Sequence, residues 1–205
     1  MSKNNTIKLA GLAFIIGLLG ACSESADENM AAGGGSGSGN GGWINMSGSF
    51  DGWQQTGGAT WTIEDGVFIA SGEQGHLVTD DTFDNFRIRA QFWASEGSNS
   101  GIFMRIADPA DIRDTTAYEA NIYDNRPDQS GRTGAIVNHA PASVALITPG
   151  KWNTYDITMD GDHIEVWLNE VKTVDTTDSS YSSGHISLQY GSGDIRFRNV
   201  EIMRL

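Results

Sequence analysis

Cysteine is nearly missing from this sequence: of 205 residues only one, Cys22, is a cysteine. No disulfide can form within the chain, so the fold must stand on its core alone. Basic residues are also scarce, 13 against 26 acidic ones, and two of the 13 lie before Cys22. That imbalance argues against nucleic acid as a partner and fits a neutral ligand such as a sugar. Helical periodicity is almost absent after residue 42, no apolar run downstream of Cys22 is long enough to span a membrane, and no internal repeat is found. Neither a G-x-S-x-G nor a P-loop pattern occurs, and no thiol is available as a nucleophile beyond Cys22. The four histidines are scattered, with none at ligand spacing from another. Acid/base chemistry by carboxylate and imidazole is what remains.

What is present begins with a leader. Lys3 and Lys8 precede an uncharged apolar run, Leu9 to Leu19, that is too short for a comfortable span. It ends in Leu19-Gly20-Ala21-Cys22, which resembles the lipobox of bacterial lipoproteins and would make residues 1–21 a signal peptide and Cys22 the lipidated first residue. An ordinary secretory leader that happens to contain a cysteine is the other reading. Residues 22–42, acidic and then rich in glycine and serine, read as a flexible tether. The expected location is the bacterial cell envelope: an outer-membrane lipoprotein facing the periplasm or the cell surface, held to the bilayer through Cys22.

Residues 43–205 are about one domain in size. In "NFRIRAQFWA", Phe86, Ile88, Ala90, Phe92 and Ala94 share one face, and Arg87, Arg89, Gln91 and Trp93 the other, which describes a half-buried strand. "GIFMRIA" and "HIEVWL" alternate in the same way. Turn residues at Glu64-Asp65-Gly66, Asp160-Gly161-Asp162 and Ser192-Gly193-Asp194 separate such runs as hairpins. Roughly eleven or twelve short two-faced strands can bury their apolar faces only against another sheet. The expected fold is all-β, a jelly-roll β-sandwich of two antiparallel sheets, with a helical turn in the irregular stretch Asp108 to Thr116.

By strand parity the polar outer faces carry Trp93, Arg105, Glu119, Asn121, Tyr123, Trp167, His185 and Gln189, although parity does not say which of the two outer faces each occupies. Arg105 follows Asn99-Ser100-Gly101, Glu119 and Asn121 come on the next strand, and Asp124 opens a long loop running through His139. Such a combination of rings, amides and carboxylates suits a sugar. Carboxylates at Asp108, Asp111 and Asp114 could hold Ca²⁺, but an ordinary acidic loop is the better reading, so neither a metal nor another cofactor is expected.

Six segments in register carry a family resemblance: "NSGIFMR" at 99–105, "YEANIYDN" at 118–125, "TGAIVNHAP" at 133–141, "GKWNTYDI" at 150–157, "VWLNEVKTVD" at 166–175 and "GHISLQYGSGDIRFRNVEI" at 184–202. Together they resemble the 3-keto-disaccharide hydrolase domain, a glycosyl-hydrolase-like family, over essentially all of 43–205. One departure is that Glu119-Ala120-Asn121 stands where the family usually has Glu-x-Gln. The resemblance implies a concanavalin A-like sandwich acting on glycosides already oxidised at C3, by abstraction of the C2 proton, β-elimination and hydration. Under it, Glu119 or His139 would be the base, Asp124 its partner or the acid, and Arg105 the stabiliser of negative charge. Asn121 and Gln189 would hold hydroxyls, with Asn99, Trp93 and Trp167 as further substrate contacts. A separate oxidoreductase would have to supply the keto-sugar. An ordinary glycosidase pair of Glu119 and Asp124 fits poorly, since five extended residues separate the Cα atoms by about 16 Å. The competing class is a non-catalytic carbohydrate-binding module with Trp93 and Trp167 as platforms; a surface protein with only a structural role is the third.

Overall fold

The computed structural model describes residues 42–205; the leader, Cys22 and nearly all of the expected tether lie outside the described residues. Eleven strands follow in order: β1 (Ile44–Asn45), β2 (Trp53–Glu64), β3 (Val67–Thr79), β4 (Phe86–Ala94), β5 (Ser100–Ile106), β6 (Tyr118–Ile122), β7 (Trp152–Asp160), β8 (His163–Leu168), β9 (Val171–Thr177), β10 (His185–Tyr190) and β11 (Ile195–Arg204). Among the described residues there is no α-helix. The helical turn expected within Asp108 to Thr116 amounts to one turn at its end, where the Ala117 N–H donates to the Arg113 carbonyl at 3.1 Å; Asp108 and Thr116 bond the loop's own backbone beside it. A 3₁₀ turn forms elsewhere, at Gln129–Gly131, where the Asp128 side chain caps Ser130.

All strands pair antiparallel in one ladder of order β6-β5-β10-β3-β11-β4-β7-β8-β9, with β2 beside β3 and β1 beside β11. The ladder curls on itself, because side chains from one end reach the other. Tyr155 of β7 donates to the Asn121 carbonyl of β6 at 2.5 Å, and Tyr118 of β6 donates to Asp178 just beyond β9 at 2.7 Å. The two expected sheets are therefore two walls of one folded ladder. A front wall comprises β6, β5, β10 and the second half of β3; a back wall comprises the first half of β3 with β11, β4, β7, β8 and β9.

The fold between the walls lies in the β2–β3 hairpin. Residues 75–78 of β3 pair with β10 and residues 68–70 with β11, and the register slips between Gly57 and Ala59. Here the strands come closer than side chains allow: a Cβ at Gly75 would lie 2.5 Å from the Thr56 oxygen. Glycine lets the ladder turn this corner without a clash. Phe68, Phe86, Phe92, Phe197, Leu188 and Tyr155 fill the space between the walls, and burial of each such side chain contributes about 1.5–3 kcal/mol.

Candidate functional site

On β6 the alternation falls as the sequence implies. Tyr118, Ala120 and Ile122 turn into the main core. Glu119 turns outward and pairs across the ladder with Phe103 of β5, while Asn121 lies beside Gly101. The same outward row continues through Ser187 to Val78, and a second row holds Gln189, His76 and Thr56.

This outward face is nevertheless sealed at β5 and β6, where every residue is buried. Residues 134–137 run along the free edge of β6, bonding Asn121 twice and Glu119 once through the backbone. The loop after β5 folds over the face, and its Ile112 packs against Phe103, Ile106 and Ala117. Glu119 is left only 5% exposed. Its carboxylate leans over Gly101, where a Cβ would come within 2.8 Å of Oε1, so glycine provides the space it occupies.

No donor among the described residues bonds that carboxylate. Burial therefore raises its pKa from 4.5 to about 8; the negative charge of Asp114 adds to the effect, and Arg126 opposes it. Arg126 and Asp114 approach to 4.0 Å across the two covering loops. Asn121 donates to the Gly131 carbonyl, and its Oδ1 is buried without a donor, as is Oε1 of Gln189. Across from Gln189, His76 shares a 3.0 Å bond with Ser187, sits edge-on to Phe103, and is pushed down by burial from 6.5 to about 4, so it is neutral near pH 7. A cleft of about 240 Å³ opens here, lined by Thr56, Gln74, His76, Pro109, Ala110 and Ile112. The chemistry on offer is one carboxyl group that exchanges its proton near neutrality, flanked by amide oxygens that lack donors.

Of the residues singled out in the sequence, Glu119, Asn121 and Gln189 share this face. Asn99 lies at its border, held by backbone bonds to Gly191 and Ser192. The other three expected catalytic groups do not converge on Glu119. Arg105 adopts φ 57° at a bulge, which turns its guanidinium inward to donate to the carbonyls of Asp84, Tyr181 and Gly161; it is 1% exposed and acts as a strut. His139 lies on the core side of β6, wedged against Tyr118 and Tyr181 with Nδ1 at 2.9 Å from Asp178. Burial works against ionisation of Asp178, but bonds from Ser180, Tyr118 and His139 outweigh it and hold that carboxyl below the usual range. Asp124 accepts from the backbone and hydroxyl of Thr148 at 2.9 and 2.7 Å, which pins the next loop. His185 bonds the Thr79 carbonyl.

Trp93 and Trp167 stand on the outer face of the back wall, away from Glu119. Also there, ligating atoms of His163, Glu165 and Asp175 lie within 4.8 Å of one another, but the Lys172 ammonium is already bonded among them. Sequence reasoning passed over His76 and Arg126, and weighed Asp114 only as a Ca²⁺ ligand. The alternation of "GHLVT" carried a signal for His76; the other two arrive through loop paths that no periodicity encodes.

Comparison with known proteins agrees with this fold. A glycosyl hydrolase-like protein from Parabacteroides distasonis superposes with a TM-score of 0.69 at 25% identity, covering 80% of this chain and all of its own. The carbohydrate-binding module CBM66 from Bacillus subtilis shares the fold at TM-score 0.58 and 17% identity, over 74% of this chain and 95% of the module. The Bacillus licheniformis β-glucanase does so at 0.58 and 11%, over 82% and 99%. No curated protein matches the sequence. Residues 42–203 match the 3-keto-α-glucoside-1,2-lyase-like domain, and the chain belongs to that family of carbohydrate-active β-sandwiches.

Proposed function

We propose that the domain cleaves glycosides carrying a ketone at C3, with Glu119 moving the proton. The carrying observation is the buried, unpartnered carboxylate with its pKa near 8. A C3 ketone acidifies the C2–H bond; ionised Glu119 takes that proton, and the C2–H electrons form the enolate. Collapse of the enolate expels the C1 oxygen substituent, which leaves with a proton, and water then adds across the C1–C2 double bond to give the free keto-sugar. A carboxyl group with its pKa near the working pH can both accept and return the proton.

With Arg105 committed to carbonyls, Arg126 is the cation whose charge Glu119 already feels, and it takes the part of stabilising the enolate oxygen. Asn121 Oδ1 and Gln189 Oε1 accept from sugar hydroxyls. The reading carries with it an upstream oxidoreductase that makes the ketone, and attachment to the cell envelope through Cys22. The second reading is a non-catalytic carbohydrate-binding module, which the shared fold with CBM66 favours.

The test is release of free aldose from a 3-keto-disaccharide. Glu119→Gln is expected to lose roughly 10²–10⁴-fold in kcat/KM while still binding. Turnover by the variant at the wild-type rate removes Glu119 from the mechanism, and tight binding by the wild-type chain without product establishes the module instead.

A further inference from the structure

The chain has six tryptophans, and only Trp53 and Trp61 lie in the core. The other four gather on the outer side of the back wall. Trp93 and Trp152 are cross-strand partners on β4 and β7; Trp167 is on β8; Trp43 lies over Arg87 and Arg89. Each is flanked by a cation, with Arg196 against Trp93, Arg198 against Trp152 and Lys172 against Trp167.

Pairing registers place Asn45, Glu201, Arg89, Asp156, Trp167 and Lys172 in one row crossing β1, β11, β4, β7, β8 and β9. Along that row lies a track of three clefts. The largest, about 710 Å³, is walled by Trp167, Arg87, Arg89, Asp156, Thr154 and Glu170. Arg89 is also a wall of the next, about 370 Å³, which adds Gln91 and Asn199. That one shares Asn45, Ser47 and Asn199 with a third of about 390 Å³ that reaches Arg198 and Asp65. From Trp167 to Asn45 is four strand spacings, about 19 Å.

We propose that this track is a second binding site, taking a neutral glycan chain several sugar rings long, independent of the Glu119 face. Three observations select that ligand. Three of the track's cations are already paired with carboxylates: Arg87 and Arg89 both bond Asp156 at 2.5–3.2 Å, and Lys172 bonds Glu165 and Asp175 at 2.5 and 2.7 Å. An anionic polymer would have to break those pairs. Of the side chains in the row only Trp167, 37% exposed, is a large apolar group open to solvent, too little for a protein interface core. What the track does present is an open indole face for pyranose C–H bonds, beside planar guanidinium, amide and carboxylate groups fixed in place for hydroxyls.

The test is affinity gel electrophoresis of the domain through dextran, glycogen, xylan and mixed-linkage β-glucan, with polygalacturonate as the anionic polymer and phosphatidylglycerol vesicles in a separate co-sedimentation. At least one neutral polymer is expected to retard the wild-type domain. Trp167→Ala should weaken that binding at least tenfold at unchanged melting temperature, Trp167→Phe should recover part of it, and Glu119→Gln should bind as wild type. The proposal is overturned if no neutral polymer binds, if polygalacturonate or vesicles alone bind, if Trp167→Ala binds normally, if Trp167→Phe binds no better than the alanine variant, or if Glu119→Gln abolishes binding.

Discussion

The two walls of this sandwich start from the same sequence grammar and end with opposite outer faces. β4 alternates buried and half-buried residues along its whole length, so its arginines and tryptophan meet solvent. β6 alternates just as clearly in sequence, yet all five of its residues are buried. The difference is made by what lies on top: residues 107–117 and 134–137 cover β5 and β6, and among the described residues nothing comparable covers β4 and β7. Charges on the open wall settle into ion pairs, as Asp156 does between Arg87 and Arg89, where bonds from the two guanidinium groups outweigh burial and lower its pKa. The carboxylate on the sealed wall has no such partner and holds its proton to about pH 8. A strand pattern states that a face is polar; the loops decide whether that polarity is inert or chemically poised.

A large effect that separates the walls concerns arginine. Arg105, at the end of the front wall, is buried with its guanidinium bonded to three backbone carbonyls, whereas Arg196 on the back wall lies over the Trp93 ring and bonds no carboxylate. Arg105→Ala strands those carbonyls in the interior and is expected to cost about 3 kcal/mol of unfolding free energy. Arg196→Ala should stay within about 0.5 kcal/mol, in line with exposed substitutions generally. Urea denaturation of both variants measures the contrast, and equal midpoints would show that Arg105 is no strut.

A comparable effect, of several kcal/mol across a pH-stability curve at about 1.4 kcal/mol per pH unit, comes from Glu119. Its pKa rises from 4.5 in the unfolded chain to about 8 in the fold. Between those values the folded chain keeps a proton that the unfolded chain has released. Stability therefore falls as pH rises across that window, and it levels off once Glu119 ionises in the fold. Glu119→Gln should remove this slope and be the more stable chain at pH 9, while being the less active one. A parallel series on Glu165→Gln, whose carboxylate is paired with Lys172 on the open wall, should leave the slope in place. Thermal unfolding at one-unit pH intervals checks both.

Much of the architecture was legible in the sequence, because alternation and turn chemistry are local. Asp65 and Gly66 both take positive φ in the β2–β3 turn, as an Asp-Gly pair in a two-residue hairpin should. The turn at Asn169-Glu170 does the same without glycine, and its composition gave no warning. The curl that joins the two sheets into one ladder depends on backbone approach at Gly57 and Gly75, which only the partner strand reveals.

The site was legible in part. Parity correctly turned Glu119, Asn121 and Gln189 away from the core, since each lies on a regular strand. It failed for Arg105, because a bulge with φ 57° breaks the alternation; His139 and Asp124, put forward by the resemblance and not by parity, sit where a long loop chooses its own path. Arg126 and Asp114 reach Glu119 from loops, so no reading of strands could have found them.

The smallest expected effect tests whether the tryptophans of the open wall are there for stability. Trp93 meets Arg196 with the guanidinium 4.9 Å from the ring centroid, a partly exposed cation–π pair of the kind that contributes about 0.5–1 kcal/mol. A double-mutant cycle of Trp93→Ala and Arg196→Ala is expected to return a coupling of about 0.5 kcal/mol, because Trp93 is only half-buried and Arg196 is exposed, so that solvent screens the pair. Coupling above about 2 kcal/mol would mean that the ring and guanidinium are desolvated together, as groups on the sealed wall are, and the open wall would then owe its tryptophans to the fold. The weak coupling expected here leaves these rings with little structural work, and so frees them for contact with a ligand.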